Sequence, residues 1–225
     1  MKKPARKRRR PSPKEKARIG ELFARFEKTS PSPHTELEYK SPFTLLVSVV
    51  LSAQATDKSV NKATEKLFAV ADTPAQVLAL GEAGLIPYIA AIGLFRTKAR
   101  NVVALSRILM EQYGGEVPLG REALQALPGV GRKTASVVLN ELGVEPAIAV
   151  DTHVFRVAHR LKLSNGKTPE DVERDLMAIV PEAARTRAHH WLILHGRYVC
   201  LARKPRCAEC VVAGLCPSRE LFLGA

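Results

Sequence analysis

A lysine just after a glycine turn has the position best suited to chemistry in this sequence. Residues 121–135, REALQALPGVGRKTA, are typical of a short helix, a tight turn and a second helix, and Lys133 falls in the first turn of that second helix. A cation there meets the positive end of the helix macrodipole, with Arg132 beside it, which disfavours the ammonium form. These surroundings are expected of a nucleophilic amine, although most lysines are simply solvated surface groups.

The turn before this lysine has the composition of a phosphate-binding segment. Gly129 and Gly131 flank Val130, so we expect both glycines to permit positive φ and the valine to protrude as a small apolar knob. Such a turn presents successive backbone N–H groups at a helix N-terminus, where phosphate oxygens bind well. The segment therefore predicts contact with a phosphate-bearing ligand.

All four cysteines lie close together near the C-terminus, with the spacing C-x6-C-x2-C-x5-C: Cys200, Cys207, Cys210 and Cys216. Four thiolates this close in sequence can converge on one metal centre, of either the zinc or the iron–sulfur type. Disulfides or free thiols are the alternative, and the spacing alone does not separate zinc from iron–sulfur. A metal centre is the better interpretation because a basic intracellular protein is not expected to hold disulfides.

The loop between the first two cysteines is strongly basic. It contains Arg203, Lys204 and Arg206 around a proline, a composition suited to phosphate contact without reading of bases. The alternative is that these cations only offset the negative charge of the thiolates.

Net charge is +13, and most of it lies at the N-terminus. Residues 1–18 hold ten Lys and Arg against the single acid Glu15, which predicts a disordered basic tail that binds nucleic acid, acts as an address signal or only solubilises the chain.

No apolar run is long enough to span a bilayer and no signal-peptide pattern follows the tail, so we expect a soluble intracellular protein without membrane partners. With aromatic residues at 5%, a platform of stacked rings is not expected.

Helical periodicity dominates the rest of the chain, and helix-start signals recur at helix-length spacing. Before the hairpin we expect helices over 13–28, from Pro42 through a buried run, after a cap at Asp57, from Pro74 to near Gly81, over 82–92 and over 97–113. We expect further helices in the hairpin, from Asp151, after Thr168 and over 181–197. Strand patterns are scarce. The predicted fold class is therefore all-α.

Several segments, taken in order, resemble one family of enzymes. They are LSAQATDKSVNKAT at 51–64, IGLFRTKA at 92–99, LPGVGRKTA at 127–135, VDTHVFR at 150–156, and HGRYVC at 195–200 with the cysteines after it. Their order and spacing resemble the endonuclease III family of helix-hairpin-helix DNA glycosylases. The similarity covers nearly the whole chain apart from the basic tail.

The resemblance implies a bifunctional DNA glycosylase and AP lyase of base excision repair. Such an enzyme binds double-stranded DNA, removes oxidised pyrimidines and cleaves on the 3′ side of the abasic site by β-elimination. Lys133 corresponds to the family's attacking amine and Asp151 to its catalytic carboxylate. Taken alone, Asp151 would more simply be a helix N-cap.

The resemblance also implies an architecture and a cofactor. The fold would be a two-lobed helix-hairpin-helix DNA glycosylase fold, with DNA bound between the lobes. One lobe is a six-helix barrel at 35–145 with the hairpin at 121–142. The other joins 19–34 to 146–225 and holds a [4Fe–4S] cluster on the four cysteines.

Further positions correspond to DNA-contacting residues of the family. Gln54 and Leu94 correspond to side chains that fill the gap left by an extruded nucleotide. The other expected contacts lie in the hairpin, at the helix after Asp151 and in the basic loop: Leu127, Gly129, Val130, Gly131, Arg132, Thr134, His153, Arg203, Lys204 and Arg206. His153 is equally compatible with packing.

Two other functions remain possible at this point. One is an adenine glycosylase for mispairs on the same scaffold, although such enzymes generally lack a lysine at position 133 and have an additional C-terminal domain. The other is a non-enzymatic DNA-binding module, against which the presence of both Lys133 and Asp151 argues. Ser136 departs from the asparagine common in the family, which puts substrate preference or local hydrogen bonding in doubt. We expect a monomer in the bacterial cytoplasm, associated with the nucleoid rather than a nucleus.

Overall fold

The computed structural model describes residues 11–222, and their regular structure is entirely helical. Ten α-helices follow one another along this part of the chain: α1 Pro13–Thr29, α2 Pro42–Leu51, α3 Asp57–Phe68, α4 Pro74–Ile89, α5 Phe95–Tyr113, α6 Arg121–Gln125, α7 Arg132–Glu141, α8 Thr152–Arg160, α9 Pro169–Ile179 and α10 Arg185–Tyr198. Short 3-10 turns occupy Glu182–Ala184, Ala213–Leu215 and Arg219–Phe222. The predicted all-α class is confirmed.

Local capping chemistry explains where most helices begin. Ser41, Thr73 and Thr168 each accept a hydrogen bond from a backbone N–H of the first helical turn and are followed by proline at the first helical position, as predicted. The cap of α3 is a correction: Thr56, not Asp57, is the N-cap, because its hydroxyl accepts from the Ser59 N–H.

Residues 13–18 belong both to the predicted basic tail at 1–18 and to the predicted helix over 13–28, and the helix is confirmed. Ser12 and Glu15 form a capping box, and the helix they start begins at Pro13, so residues 13–18 are helical rather than part of a tail. Residues 1–10, which hold the rest of the predicted tail, lie outside the described residues.

Intramolecular contacts divide the chain into two units. One is continuous, Thr35–Pro146, and contains α2 to α7. Its core includes α2, all of whose residues after Pro42 are buried, as a sequence that is apolar nearly all round predicts. Within this unit Gly81, with φ of +64°, interrupts α4, so the two predicted helices at this point meet in a kink.

The second unit combines the N-terminal residues through His34 with the chain from Ala147 onward. Its core joins the apolar side of α1 to α8, α9 and α10. Trp191 of α10 connects this helix to α1. Its ring packs beside Phe23, and its indole N–H donates to the Ser30 carbonyl at 2.8 Å.

Candidate active site and metal centre

The turn between α6 and α7 depends on one glycine more than the other. Gly129 has φ of +80°, and a Cβ there would lie 2.9 Å from Asn101 Nδ2 and 3.0 Å from Asn101 Cβ. Gly131 has φ of −86°, an ordinary value, so only Gly129 adopts the positive φ that both glycines permit. Nothing lies within 4 Å of a Cβ built on Gly131. Its missing side chain instead leaves the N-terminus of α7 uncovered.

Two of the predicted hairpin contacts have buried side chains. Val130 is only 5% exposed and Leu127 is buried with it in the core of Thr35–Pro146, so the expected protruding knob at Val130 is wrong. The Val130 N–H donates to the Leu127 carbonyl at 3.1 Å. The valine closes the turn from the inside, because a branched apolar side chain is more stable against the core than in water.

Lys133 lies on the exposed side of the same turn. Arg132 and Lys133 are exposed in the first turn of α7, Thr134 is half-buried, and this turn holds no acidic residue. Behind them the helix is anchored by Ala135, Val138 and Leu139, which are fully buried. The arrangement holds an amine at a helix N-terminus with its backbone fixed by the core.

Gln54 and Leu94 lie on neighbouring loops of the same unit. Both have left-handed backbone conformations, with φ of 55° and 60°, and both are exposed, Leu94 to 57%. A Cβ placed on Gly93 would lie 4.0 Å from the Gln54 carbonyl oxygen, so the two loops are adjacent. Residues other than glycine adopt this conformation at a cost, which commonly marks functional positions.

Asp151 and His153 lie at the start of α8, in the other unit. Asp151 is the N-cap, and its Oδ1 accepts from the Val154 N–H at 2.8 Å. His153 is half-buried, with its Nδ1 3.2 Å from Arg156 Nη2. Lys133 and Asp151 therefore belong to different units, and each is positioned by the first turn of its own helix.

The four cysteines form no disulfide with one another and line a single pocket, together with Arg160, His195 and other residues of the second unit. The pKa of Cys210 is raised to about 11, mainly by burial and also by the charges of the other three cysteines, while a hydrogen bond from the Val212 N–H lowers it. Converging thiols of this kind need a positive centre to exist as thiolates, which fits an iron–sulfur cluster. Among residues 11–222, no group of three or more His, Cys, Asp or Glu is arranged to hold a single metal ion.

Two arginines of α8 support this pocket, and the cysteine spacing did not indicate them. Arg160 Nη1 donates to the Leu201 carbonyl at 2.6 Å and approaches Cys200 Sγ at 3.4 Å. Arg156 Nε donates to the Cys200 carbonyl at 3.1 Å. Their four-residue spacing, which places both on one face of α8, is the sequence signal that could have identified them.

A buried histidine completes the surroundings of the thiols. His195 Nε2 lies 3.7 Å from Cys210 Sγ, and burial lowers the pKa of His195 to about 4. The ring is therefore neutral at physiological pH, and it packs on Phe26 with 5.1 Å between ring centroids.

The basic loop is exposed, as phosphate contact requires. Arg203, Lys204 and Arg206 all face solvent, and Lys204 has a left-handed backbone with φ of 48°. The loop is held at its base by the Arg206 N–H, which donates to the Val199 carbonyl at 2.9 Å. Within the described part of the chain, no helix is both long enough and apolar enough to cross a membrane.

Comparison with known proteins gives two family matches. Residues 47–182 match the HhH-GPD superfamily of base excision DNA repair proteins, and residues 200–216 match the iron–sulfur binding domain of endonuclease III. The second match spans all four cysteines.

Relatives and solved structures cover nearly the whole chain. It is 55% identical to endonuclease III of Escherichia coli, over 91% of this chain and 97% of that protein, and 56% identical to endonuclease III of Haemophilus influenzae, over 89% and 95%. A solved trapped covalent intermediate of endonuclease III with DNA matches with a TM-score of 0.85 and 43% identity, over 92% of this chain and 97% of that one. A thermostable thymine-DNA glycosylase, 24% identical with a TM-score of 0.79, shares the fold.

Proposed function

Because this chain belongs to the endonuclease III family, we propose that it removes oxidised pyrimidines from double-stranded DNA with Lys133 as nucleophile and Asp151 as its partner carboxylate. The protein is a DNA glycosylase and AP lyase of base excision repair, it binds DNA, and its cofactor is a [4Fe–4S] cluster.

The observation that carries the proposal is the position of Lys133, exposed in the first turn of α7 behind the uncovered Gly131. Its uncharged amine attacks the anomeric carbon of the damaged nucleotide, a C–N bond forms, and the bond to the base breaks with the electron pair leaving on the base. Opening of the sugar then gives a Schiff base. A relative trapped as a covalent intermediate with DNA supports this type of chemistry.

The Schiff base also explains the strand cleavage. The iminium group withdraws electrons from the sugar and acidifies the neighbouring proton. Once a base removes that proton, the electron pair expels the 3′ phosphate as the leaving group, and hydrolysis of the imine returns the Lys133 amine. No electron enters or leaves the substrate in this sequence of steps.

Asp151 supplies negative charge next to the developing positive charge on the sugar. Its carboxylate is stabilised by the N-terminus of α8, through the 2.8 Å hydrogen bond from the Val154 N–H to Oδ1. A carboxylate held in this way can stabilise the charge and assist proton transfer without turning away from the substrate.

A base inside a duplex is beyond the reach of Lys133, so the nucleotide must be extruded. We propose that Gln54 and Leu94 fill the gap that it leaves. Two exposed side chains on adjacent loops, one polar and one apolar, are suited to pairing with the orphaned base and to supporting the opened stack. Damaged or missing bases lose less stacking on extrusion, which favours lesions over intact DNA.

Phosphate contacts fix the register of the DNA. On the side of α7 we propose contact through the backbone at Gly129 and Gly131 and through Arg132 and Thr134, because Leu127 and Val130 contribute only main-chain atoms. In the second unit, Arg203, Lys204 and Arg206 contact phosphates, and His153 lies close to the reacting nucleotide beside Asp151.

Cys200, Cys207, Cys210 and Cys216 are proposed as the four ligands of the cluster. When bound, the cluster offers positively charged iron to four thiolates and so cross-links a segment with little core of its own. Arg156 and Arg160 hold the carbonyls of this segment, so that the basic loop keeps a defined shape. We assign the cluster a structural role because cleavage of a glycosidic bond needs no electron.

Borohydride reduction of an enzyme–DNA mixture tests the proposal, since it converts a Schiff base to a stable covalent adduct. We expect the wild-type protein to form this adduct on duplexes with an abasic site or an oxidised pyrimidine. Lys133→Ala should form none while still binding the DNA. Lys66→Ala, which alters an exposed lysine of α3, is the matched control and should behave as wild type.

Three outcomes would contradict this proposal. An adduct that persists in Lys133→Ala would move the nucleophile elsewhere. A wild-type protein that binds duplexes without forming any adduct would favour a non-enzymatic binding module, and one that excises only adenine opposite a mismatched base would favour a mispair glycosylase.

We further propose that the protein acts as a monomer on the bacterial chromosome. Support comes from its bacterial relatives and from a complete set of candidate residues within one chain. Light scattering at micromolar concentration, with and without DNA, should give the mass of one chain per lesion. A stable dimer would contradict this.

A further inference from the structure

The helix that bears Lys133 is held by a polar contact on its buried side. Ser136 lies one turn after Lys133 on α7 and is only 1% exposed. Its Oγ accepts a hydrogen bond from Arg121 Nη1 at 2.8 Å. A charged donor on a buried hydroxyl is a short, directional bond, so it defines where this side of α7 lies.

The Arg121 guanidinium also forms an ion pair with Glu145. Arg121 Nη2 lies 2.9 Å from Glu145 Oε1, and Nε lies 3.3 Å from Oε2, so the carboxylate is held by two parallel bonds. Glu145 follows α7, where Gly143 with φ of +68° turns the chain back and the Val144 N–H donates to the Leu139 carbonyl at 2.9 Å. Arg121 thus joins the start of α6, the middle of α7 and the segment that leaves α7.

The needs of α6 itself do not explain an arginine at this position. Arg121 is the first residue of α6, where the macrodipole disfavours a cation, and its N-cap Gly120 makes no side-chain bond. Nor is the ion pair buried enough to matter much for stability, because the two side chains are 26% and 47% exposed. The effect of Arg121 is to fix the orientation of α7. One bond to α7 at Ser136 and a second to the segment that leaves α7 at Glu145 together restrict rotation of the helix about its axis.

We propose that Arg121, through Ser136 and Glu145, is a positioning residue that sets the direction in which Lys133 leaves α7. The proposal rests on the nucleophilic role proposed above for Lys133. The amine is at the end of a long flexible side chain on an exposed surface, so a rotation of α7 moves it relative to bound substrate. Rates of attack depend steeply on such displacements.

The test compares four variants with wild type: Arg121→Met, Arg121→Lys, Glu145→Gln and Ser136→Ala. The adduct rate is measured in single turnover at saturating abasic-site DNA, together with KM and the melting temperature. We expect Arg121→Met to lower the saturated rate about tenfold while KM changes less than about threefold. Arg121→Lys keeps a positive charge on one donor nitrogen but loses the two parallel N–H groups of the guanidinium. It should therefore recover part of the rate that Arg121→Met loses.

Glu145→Gln and Ser136→Ala each remove one contact and should lower the rate by about threefold. Combined with Arg121→Met, neither should reduce the rate further, since all three residues act through one guanidinium. Arg174→Met is the matched control: it breaks an exposed pair with Asp171 on α9 and should leave the rate unchanged. The two single-contact variants also decide the matter if Arg121→Met fails to fold.

The proposal is overturned if the Arg121 and Glu145 variants lower the melting temperature but keep the wild-type rate, which is the result expected of a purely structural bond. It is also overturned if the losses appear entirely in KM, since Arg121 would then act in DNA binding. A wild-type protein that forms no adduct removes the role of Lys133 first, and the positioning role with it.

Discussion

A Cβ atom placed on Gly196 of α10 would lie 2.9 Å from the Cβ of His153 on α8. It would also lie 3.2 Å from Val157 Cγ2 and 3.3 Å from the His153 carbonyl oxygen. The helix capped by Asp151 thus packs on α10 at a distance that only glycine permits. Because the nearest obstructing atom is a Cβ and a backbone oxygen is also close, the helices themselves must move to admit a side chain.

Gly196→Ala should therefore destabilise the protein by about 1–3 kcal/mol, the usual cost of overpacking, and displace His153. The measurement is urea unfolding of the cluster-loaded protein. The control is Gly20→Ala on α1, where nothing lies within 4 Å of the added methyl and helix propensity favours alanine by about 0.5–1 kcal/mol. Equal stability of the two variants would contradict the close packing.

The two glycines of the hairpin should respond differently to alanine. Gly129→Ala combines a positive φ with a contact on the Asn101 Cβ, so we expect a loss of about 1–3 kcal/mol in the free energy of unfolding. Gly131→Ala meets nothing in the free protein and should unfold like wild type, yet its methyl should weaken DNA binding if phosphates approach this backbone. Denaturation and DNA titration of both variants check this, and a stable Gly129→Ala would be inconsistent with the turn.

Substitutions of Asp151 can separate its capping role from its chemistry. Asparagine caps a helix about as well as aspartate, so Asp151→Asn should change the unfolding free energy by less than about 0.5 kcal/mol, whereas Asp151→Ala should lose about 0.5–2 kcal/mol. Both remove the negative charge, and we expect both to lower the saturated cleavage rate by at least about a hundredfold. If Asp151→Asn retained full activity, Asp151 would be a cap alone.

Lys98 of α5 gives a prediction about pH. The side chain is 4% exposed, and its Nζ is buried without a hydrogen-bond partner among residues 11–222. Burial lowers the pKa of this amine below its ordinary 10.5. The unfolded chain then binds more protons between the two pKa values, so wild-type stability rises with pH through that window and the penalty is full below it.

Lys98→Met removes the penalty. We expect the variant to be more stable than wild type by about 1–3 kcal/mol at neutral pH, and this advantage to shrink as pH approaches 10.5. Urea unfolding at several pH values measures it. Lys66→Met on α3 should stay within about 0.5 kcal/mol of wild type at every pH. A pH-independent difference at Lys98 would show that the amine is not desolvated.

Much of this protein could be predicted from short stretches of sequence. Helix starts at Ser41, Thr73 and Thr168 depend on a hydroxyl and a backbone N–H three residues apart, so the sequence contains both partners. The same holds for the burial of α2, whose sequence is apolar on nearly every side. The family signature and the grouping of the cysteines are equally local.

The tertiary structure decided which groups face the core and which long-range partners they find. It buried Val130, left Gly131 with ordinary backbone angles, and placed Gln54 and Leu94 in left-handed conformations on adjacent loops. It also joined Arg121 to Glu145 and Arg160 to Leu201, pairs 24 and 41 residues apart. Such contacts depend on how helices pack rather than on local propensity, because the energy of each bond is gained only after distant segments have come together.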